Sequence, residues 1–576
     1  MSTSSTNARP GGTETVARTG LLDWLEEPRA GHGLRFAEDG GGWAMWEYPR
    51  LAALAGGTAE QIAELRHART GVVSIVTRSG PEFIAAFVGA LAAGNTPSPL
   101  ALPPFVRDRS QYVEHAASIL RAAEPVLVLV EAGFEELIEE AAELAGVPGR
   151  VARIEASEGP APAPPGRDRA ELALLQFTSG SSGRPRAVRV TWENLEANVA
   201  MIRRWLGMRP EDATATWLPL YHDMGLIGCM VTPMVNQSDV WVMRPDQFIR
   251  EPVRWLECYG VHGAQLGVAP NFGFGYVNKR LSDEQLEPMD FSQWRVAIVG
   301  AERLDADVLG RFARRLEPRG FRASTFLPAY GLAEATLAVT GVPLEDVPRA
   351  VRPDWDDARF GEPLPVLASA MLTDAERIGS GEGWLVGCGP PHPEVGVAIV
   401  DEDGRDLPEG ALGEIAVTGP TVADDYLGEP GASTRFENGR LLSGDAGFVY
   451  EGELYVMGRL GDSVKVRGRT VFVEDVEARI AALGVPKGKC VVLAGTHAGA
   501  NLIAALAEAP AGPWVEKAAA MLEREGDASS RVLVLSGDPG SIERTSSGKP
   551  RRRVMWQRIV RGELPGEVVH EGSGTG

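Results

Sequence analysis

The run from Phe177 to Arg186 concentrates small hydroxyl residues, glycines and two arginines in one short segment. Glycines permit backbone angles that let several N–H groups converge on an anion. The hydroxyls add hydrogen-bond donors, and arginine adds a fixed positive charge. The segment is therefore interpreted as a loop that holds the phosphates of a nucleotide. The residues expected to hold them are Thr178, Ser179, Gly180, Ser181, Ser182, Gly183 and Arg186.

The flanks of this loop have the context that phosphate binding requires. The apolar run from Glu171 to Phe177 predicts a buried strand, and the spacing from Trp192 to Trp205 predicts a helix. Strand, loop and helix in this order favour a nucleotide site. The loop is not a Walker A motif, because Gly183 is followed by Arg184 rather than by Lys and a hydroxyl residue.

Four further segments occur in the order and rough spacing of known core motifs. They are Tyr330–Thr336, Leu442–Gly447, Gly458–Arg469 and Arg544–Arg551. Together with the loop, they resemble the adenylate-forming superfamily, which includes acyl-CoA synthetases, peptide-synthetase adenylation domains and luciferases. The resemblance extends from about Leu21 to Gly562.

Within that superfamily, three segments look most like the fatty-acyl-AMP ligases: Trp217–Leu226, Ala269–Phe274 and Tyr330–Leu337. The long segment at about 341–385 resembles an insertion of those ligases, which is thought to restrain the small domain and to disfavour free CoA. The alternative is an ordinary long surface loop.

The resemblance implies that a carboxylic acid is joined to the α-phosphate of ATP and that a thiol then attacks the mixed anhydride. Lys549, in the last motif, is the expected catalytic lysine, in contact with both the carboxylate and the α-phosphate. Glu334 is the expected Mg²⁺ ligand, together with the hydroxyl of Thr178.

The same resemblance assigns the nucleoside contacts. Gly300 and Ala301, with Tyr330 and Gly331, are expected to cradle the adenine. Asp445 is expected to accept hydrogen bonds from the ribose hydroxyls, because a carboxylate suits two adjacent donors. Arg459 is expected to reach the ribose or the phosphates.

On the acyl side, His222 resembles the aromatic gate between the ATP and acyl pockets and is included among the catalytic candidates. Met224, Phe272 and Phe274 are candidate lining residues of an acyl pocket. Because no charge is evident among them, the acid is expected to be apolar. Gly461 lies at the expected hinge between the domains, where glycine is the most permissive residue for a large backbone rotation.

Composition excludes some other classes. The 576 residues carry a formal net charge of −21, which disfavours non-specific binding to nucleic acid or to an anionic membrane. No apolar run is long enough to cross a bilayer, and the first 19 residues lack the apolar core of a signal peptide. Four scattered cysteines predict neither disulfides nor a zinc site and favour a reducing cytoplasm.

The order of apolar runs predicts an α/β fold with two domains. Strand-like and helical runs alternate in a large N-terminal domain with parallel sheets, expected at 21–459, which also includes a β-rich subdomain. A small, mobile α+β domain is expected at 460–562. Residues 1–20 and 563–576 are expected to be flexible tails, given their Gly, Ser and Thr content.

Three functions remain open at this point. The favoured one is an acyl-AMP ligase that passes its acyl group to a phosphopantetheine thiol, preferably on a holo-carrier protein. The first alternative is an acyl-CoA synthetase that uses free CoA. The second is a protein that does not adenylate and only binds or transfers a preformed acyl-AMP.

Overall fold

The protein is seen here as a computed structural model. It describes residues 20–573, except 66–69, 103–108, 167–168, 179–185, 375–377, 379–382, 428–433, 461–462, 467–468, 498–499, 527–529 and 545–549. Predicted site residues Ser179, Gly180, Ser181, Ser182, Gly183, Gly461 and Lys549 therefore lie outside the described residues. In the described part, no helix combines the length and apolar character needed to cross a membrane.

The first 14 strands lie between residues 33 and 341. They are β1 Gly33–Ala37, β2 Trp43–Glu47, β3 Val72–Val76, β4 Thr96–Leu100, β5 Leu127–Val130, β6 Val151–Arg153, β7 Leu172–Thr178, β8 Arg186–Thr191, β9 Ala213–Thr216, β10 Asp239–Val242, β11 Leu266–Ala269, β12 Val296–Val299, β13 Phe326–Gly331 and β14 Ala338–Gly341.

Eleven α-helices and a π-helix lie in the same part of the chain. They are α1 Tyr48–Leu65, α2 Pro81–Ala92, α3 Arg109–Ala123, α4 Glu135–Ala145, α5 Trp192–Trp205, α6 Thr232–Val235, α7 Pro245–Arg250, α8 Val253–Gly260, α9 Asn271–Arg280, α10 Asp283–Leu286 and α11 Ala306–Leu316, with the π-helix at Met224–Val231.

Two sheets organise these elements. The larger has the strand order β14-β13-β12-β11-β9-β10-β1-β2, and all neighbours from β13 to β1 are parallel. The smaller, β4-β3-β5-β6, is parallel throughout. Parallel neighbours need crossover connections, which the helices supply. The predicted α/β fold class is confirmed.

The expected strand–loop–helix context is wrong in one respect. The strand and the helix are present, but β8 lies between them and pairs antiparallel with β7, so that Thr178 is opposite Arg186. Helix α5 starts only after β8, where the Thr191 side chain caps its N-terminus. Because the valines of β8 alternate with polar residues, this run forms a half-buried strand. The loop therefore joins two antiparallel strands.

Residues 349–459 are mostly β-structure. The strands are β15 Arg349–Pro353, β16 Val366–Met371, β17 Leu385–Val386, β18 Gly396–Val400, β19 Gly413–Thr418, β20 Tyr426–Leu427, β21 Arg435–Glu437, β22 Arg440–Tyr450 and β23 Glu453–Arg459. The first three form a sheet of order β16-β15-β17 within the segment predicted as an insertion. Strand β20 instead pairs with β8 and so contacts the phosphate loop's hairpin.

Residues 463–573 contain six strands and three helices. They are β24 Ser463–Val466, β25 Arg469–Phe472, α12 Val473–Ala482, β26 Cys490–His497, β27 Ala500–Ala507, α13 Trp514–Glu525, β28 Arg531–Ser536, α14 Arg552–Val560 and β29 Glu567–Ser573. The sheet β26-β27-β28-β29 packs against α12 and α13 through buried side chains that include Val476, Ile503 and Leu522.

The prediction of a flexible tail at 563–576 is wrong for most of that segment. Strand β29 pairs antiparallel with β28. Val568 and Val569 point to opposite faces of the sheet and pack against different apolar clusters, and His570 contacts Glu523 at 2.9 Å. These contacts order a segment whose composition alone suggested flexibility.

Candidate active site

A large cleft of about 2530 Å³ opens at the carboxyl ends of the parallel strands, between the main body and residues 474–554. In open α/β sheets this end is where ligands bind. The predicted site residues that line it are Thr178, Arg186, His222, Met224, Phe272, Gly300, Ala301, Tyr330, Gly331, Glu334, Asp445 and Arg459. Segments that are far apart in the sequence thus meet in one place.

The hairpin β7–β8 brings unsatisfied donors to this cleft. Thr178 Oγ1 and two guanidinium nitrogens of Arg186 are buried and have no hydrogen-bond partner within the described part of the protein. Buried polar groups are normally paired. The orphaned donors therefore fit an anionic, oxygen-rich ligand such as a phosphate.

Glu334 lies beside this hairpin. Its carboxylate is 5% exposed and accepts a hydrogen bond from the Tyr426 hydroxyl. The Tyr426 ring lies under the Arg186 guanidinium, 4.7 Å from the ring centroid. Burial and then the negative charge of Glu334 raise the pKa of Tyr426, so the phenol remains a donor. Tyr426 was missed by sequence reasoning, because the pairing of β20 with β8 that brings it here is non-local.

The described residues also fit a magnesium ion held largely by its substrate. They contain no cluster of three or more His, Cys, Asp or Glu side chains that could hold a metal. Mg²⁺ is commonly bound through one or two carboxylates plus substrate phosphates and water. Glu334 and the orphaned Thr178 hydroxyl, which line the same cleft, could supply such a partial ligand set.

Asp445 also lines the cleft, and two side chains contact its carboxylate. The Tyr330 hydroxyl donates to it at 2.7 Å, and Arg459 Nε lies 2.8 Å from its other oxygen. Burial and then the charge of Asp445 raise the pKa of Tyr330 well above its usual range. Three residues predicted to contact the nucleoside are therefore in direct contact with one another.

Two glycines allow the backbone to approach closely here. A Cβ at Gly331 would lie 1.9 Å from the Leu337 carbonyl oxygen, and one at Gly300 would lie 2.9 Å from that of Ala329. Ala301 follows in a left-handed conformation, with φ of 66°. A side chain at either glycine would meet neighbouring backbone, and both glycines line the cleft together with Ala301. The residues of the predicted adenine cradle thus lie close together.

His222 also faces the cleft. Its Nδ1 lies 2.6 Å from the Asp223 carboxylate, which fixes the orientation of the ring. The Gln176 amide donates to the Tyr221 carbonyl at 3.1 Å and so ties this segment to β7. His222 therefore stands between the phosphate hairpin and the π-helix that begins at Met224.

Beyond His222 the cleft extends along the sheet as an apolar floor. Val268 lies opposite Ile298, and Leu266 lies opposite Val296, so two registered rows of aliphatic side chains line it. The floor runs from Gly300 back to Val296, roughly 13 Å of strand. Met224 and Phe272 line the cleft. Phe274 does not line it, so the prediction that Phe274 lines an acyl pocket is wrong.

Phe274 is fully buried in the aromatic core instead. Its ring contacts Trp255, Phe312 and Phe326 with centroids 5.0–5.6 Å apart. The reason is helical geometry: Phe272 and Phe274 are two positions apart on α9 and so project to different sides. An aromatic residue at such a spacing gives no signal of which side faces a ligand.

The predicted catalytic lysine, Lys549, lies outside the described residues, but residues on both sides of its segment are described. Arg544 and Pro550, the described residues on either side of 545–549, both line the cleft. The positive charge of Arg551, in the same motif, acts on His115 of α3. Burial of His115, and then this charge, lower the pKa of His115. The described ends of the last motif, Arg544 and Pro550, thus line the same cleft as Tyr330 and Asp445.

All four cysteines of the chain are buried and unbonded. Burial raises the pKa of Cys229 and Cys388 to about 12, and those of Cys258 and Cys490 rise for the same reason.

Comparisons with known proteins agree with this site. The model of the AMP-binding enzyme family matches residues 29–427. A 4-hydroxyphenylalkanoate adenylyltransferase of Mycobacterium tuberculosis is 31% identical over 533 residues, covering 85% of this chain and 83% of that enzyme. The long-chain-fatty-acid–AMP ligase FadD26 of Mycobacterium marinum is 32% identical over 528 residues, covering 84% of this chain and 86% of the ligase.

A solved structure from work on the fatty acyl-adenylate ligases of E. coli and L. pneumophila is also similar. It superposes with a TM-score of 0.82 at 28% identity and covers 94% of this chain and 98% of that one. The similarity thus includes both the main body and the small domain.

Proposed function

The chain belongs to the family of AMP-binding enzymes, and on that premise we propose that it activates a hydrophobic carboxylic acid with ATP and transfers the acyl group to a phosphopantetheine thiol. A carboxylate oxygen attacks the α-phosphorus of ATP, and pyrophosphate leaves. The sulfur of the thiol then attacks the acyl carbonyl carbon, AMP leaves, and the thiol proton passes to solvent.

The observation that carries this proposal is the meeting of Thr178, Glu334 and Asp445 in one cleft that continues into an apolar floor. Phosphate donors, a carboxylate for a cation, a ribose acceptor and an apolar groove are the parts that an acyl-adenylate needs. Like charges must be brought together in the first step, so positioning and electrostatic stabilisation supply most of the catalysis.

Each residue has a proposed task. Lys549 contacts the carboxylate and the α-phosphate and stabilises the charge that develops between them. Arg186, with Thr178, binds phosphate oxygens, and Asp445 accepts the ribose hydroxyls. Glu334 and Thr178 would hold Mg²⁺, which when bound neutralises part of the phosphate charge. His222 separates the nucleotide from the acyl groove.

A carrier-protein thiol is the preferred acceptor. The sheet β15–β17 belongs to an apolar cluster with Phe472 of the small domain, and Val351 and Leu385 lie in the same cluster. Because this segment resembles the insertion of the fatty-acyl-AMP ligases, which is thought to disfavour free CoA, its contact with the small domain supports the carrier-protein acceptor. The reducing cytosol is the proposed compartment, since the cysteines are unbonded.

ATP–pyrophosphate exchange with a panel of carboxylic acids tests the first step. We expect exchange with apolar acids, and Lys549→Ala should lower it about 10²–10³-fold, as the loss of a charge-stabilising contact does. Lys517→Ala, at an exposed position on α13, is the matched control and should exchange normally. Silence across the panel would contradict the proposal and favour a protein that only binds preformed acyl-AMP.

The acceptor is tested separately. The chain is incubated with ATP, the best acid of the panel and either CoA or a holo-carrier protein. We expect thioester on the carrier protein. Good yields of acyl-CoA would instead identify an acyl-CoA synthetase.

A further inference from the structure

One short turn lines the proposed nucleotide site and also contacts the small domain. The turn 300–305 carries Gly300 and Ala301 on the cleft side. Two positions further, Arg303 Nη2 lies 3.2 Å from the Asp475 carboxylate on α12 of the small domain. Asp305, at the end of the turn, forms an ion pair with Lys487.

The Arg303–Asp475 pair is shielded from solvent. The side chain of Arg303 is 16% exposed and that of Asp475 is 6% exposed. A pair removed from water is screened less by salt than a surface pair. Asp475 also has a longer ion pair on its own helix, with Arg479 at 3.6 Å, so Arg303 is its partner from the main body. The contact is therefore of a different kind from the exposed ion pairs elsewhere on this chain.

Arg303 also contacts a third part of the chain. Its guanidinium lies 5.2 Å from the ring centroid of Trp355, in the segment between β15 and β16. The Trp355 indole N–H donates to the Gly383 carbonyl at 2.8 Å, which fixes the ring. Arg303, in the turn 300–305, thus contacts both the β15–β17 segment and the small domain.

We propose that Arg303 is a positioning residue that, through Asp475, holds the small domain in the orientation of the adenylation step and couples that orientation to nucleotide binding. The inference rests on the proposed function. In the orientation seen here, Arg544 and Pro550 line the same cleft as Gly300 and Ala301. Movement of the small domain for thioester formation must break the Arg303–Asp475 pair.

Coupling through this turn is reciprocal. If nucleotide contact with Gly300 and Ala301 favours the turn geometry that places Arg303 on Asp475, then the closed small domain must favour nucleotide binding by the same factor. ATP should therefore narrow the range of small-domain positions in the parent protein, and this effect should be lost without Arg303.

The test separates the two half-reactions. Arg303→Ala and Asp475→Asn should each lower ATP–pyrophosphate exchange by at least about fivefold, the lower end of typical coupling. Thioester formation from supplied acyl-AMP should be unchanged or faster. The double variant should be no slower than the slower single variant, and Arg303→Lys should recover part of the rate. Arg322→Ala, whose partner Glu345 is exposed, is the matched control and should behave as the parent.

The position of the small domain is measured independently of turnover. Because the native cysteines are buried, spin labels can be attached at Glu136→Cys on α4 and Glu516→Cys on α13, both exposed positions. We expect one narrow distance distribution with ATP in the parent and a broad one in the Arg303→Ala variant. If both single variants keep the parent's distances and rates, or if their rate losses multiply in the double variant, the proposal is wrong.

The two proposals fail in different ways. If the parent exchanges no pyrophosphate with any acid, the proposed function fails, and the label distances still decide whether Arg303 holds the small domain. If the parent exchanges normally and the labels do not respond to Arg303→Ala, only the positioning role fails.

Discussion

At the scale of single residues, Glu334 is a buried carboxylate that accepts a hydrogen bond from the Tyr426 hydroxyl. No basic side chain of the described residues forms an ion pair with it, although Arg186 lies across the Tyr426 ring. A carboxylate in this setting retains capacity for a cation, because each oxygen has more than one acceptor site.

Glu334→Gln should therefore raise the Mg²⁺ concentration needed for half-maximal exchange by at least about tenfold, the loss seen when groups around a metal site are removed. The amide keeps the size and the hydrogen bond but not the charge. A titration of exchange rate against Mg²⁺ measures this shift. Glu317→Gln at an exposed position is the control, and an unchanged Mg²⁺ requirement in Glu334→Gln would remove Glu334 from the metal site.

His392 determines part of the pH dependence of stability. It lies against Trp205, with ring centroids 4.9 Å apart, and its Nε2 is buried without a hydrogen-bond partner in the described residues. Burial lowers the pKa of His392 from 6.5 to about 4. Between these values the unfolded chain binds the proton and the folded protein does not, so stability falls as the pH falls.

The free energy of unfolding should therefore drop by about 2 kcal/mol more in the parent than in His392→Phe between pH 7 and pH 5, since one pKa unit corresponds to about 1.4 kcal/mol. Phenylalanine keeps the tilted ring contact with Trp205 and cannot titrate. Urea unfolding at the two pH values measures the difference. Equal losses in the two proteins would show that His392 takes up its proton in the folded state.

At the scale of elements, local patterns were the reliable guide. Helix Trp192–Trp205 has the bounds that its spacing predicts, and the strand predicted from Glu171 to Phe177 lies at Leu172–Thr178. Strand β8 was not predicted, because half of its six residues are polar and give a weak apolar signal. Tyr426 was missed for a different reason: its approach to Glu334 depends on a pairing between residues more than 200 positions apart, which no local pattern contains.

Residues of the π-helix line the cleft and allow a direct test of the proposed acyl groove. Gly228 lines the cleft, and a Cβ there would lie 3.3 Å from the Leu337 side chain. Gly228→Leu should therefore fill space above the apolar floor. We expect kcat/KM for long-chain acids to fall at least about tenfold, since burial of each methylene contributes about 0.8 kcal/mol, while short acids keep most of their rate. Equal losses for all chain lengths would place the acyl chain elsewhere.

At the scale of the whole molecule, the proposed reaction uses two positions of the small domain. The last strand of the main body, β23, ends at Arg459, which also contacts Asp445. The chain enters the small domain immediately afterwards, so a rotation there moves α12 and the last motif together. Gly461, the predicted hinge, lies outside the described residues and remains a prediction.

Gly461→Pro should slow at least one half-reaction, because proline fixes the backbone angle φ that a hinge must change. Exchange and thioester formation from supplied acyl-AMP are measured separately, with Gly461→Ala as the milder control. Full rates in both half-reactions of the proline variant would place the rotation at another residue.

The burial of the four cysteines has a chemical consequence for the intermediate. A mixed anhydride acylates any thiolate that can reach it, and the thiolate rather than the thiol is the reactive form. Cys388 and Cys490 border the cleft, yet their shielded sulfur atoms remain protonated at neutral pH. The protein's own thiols therefore do not compete with the thiol of the proposed acceptor for the acyl-adenylate.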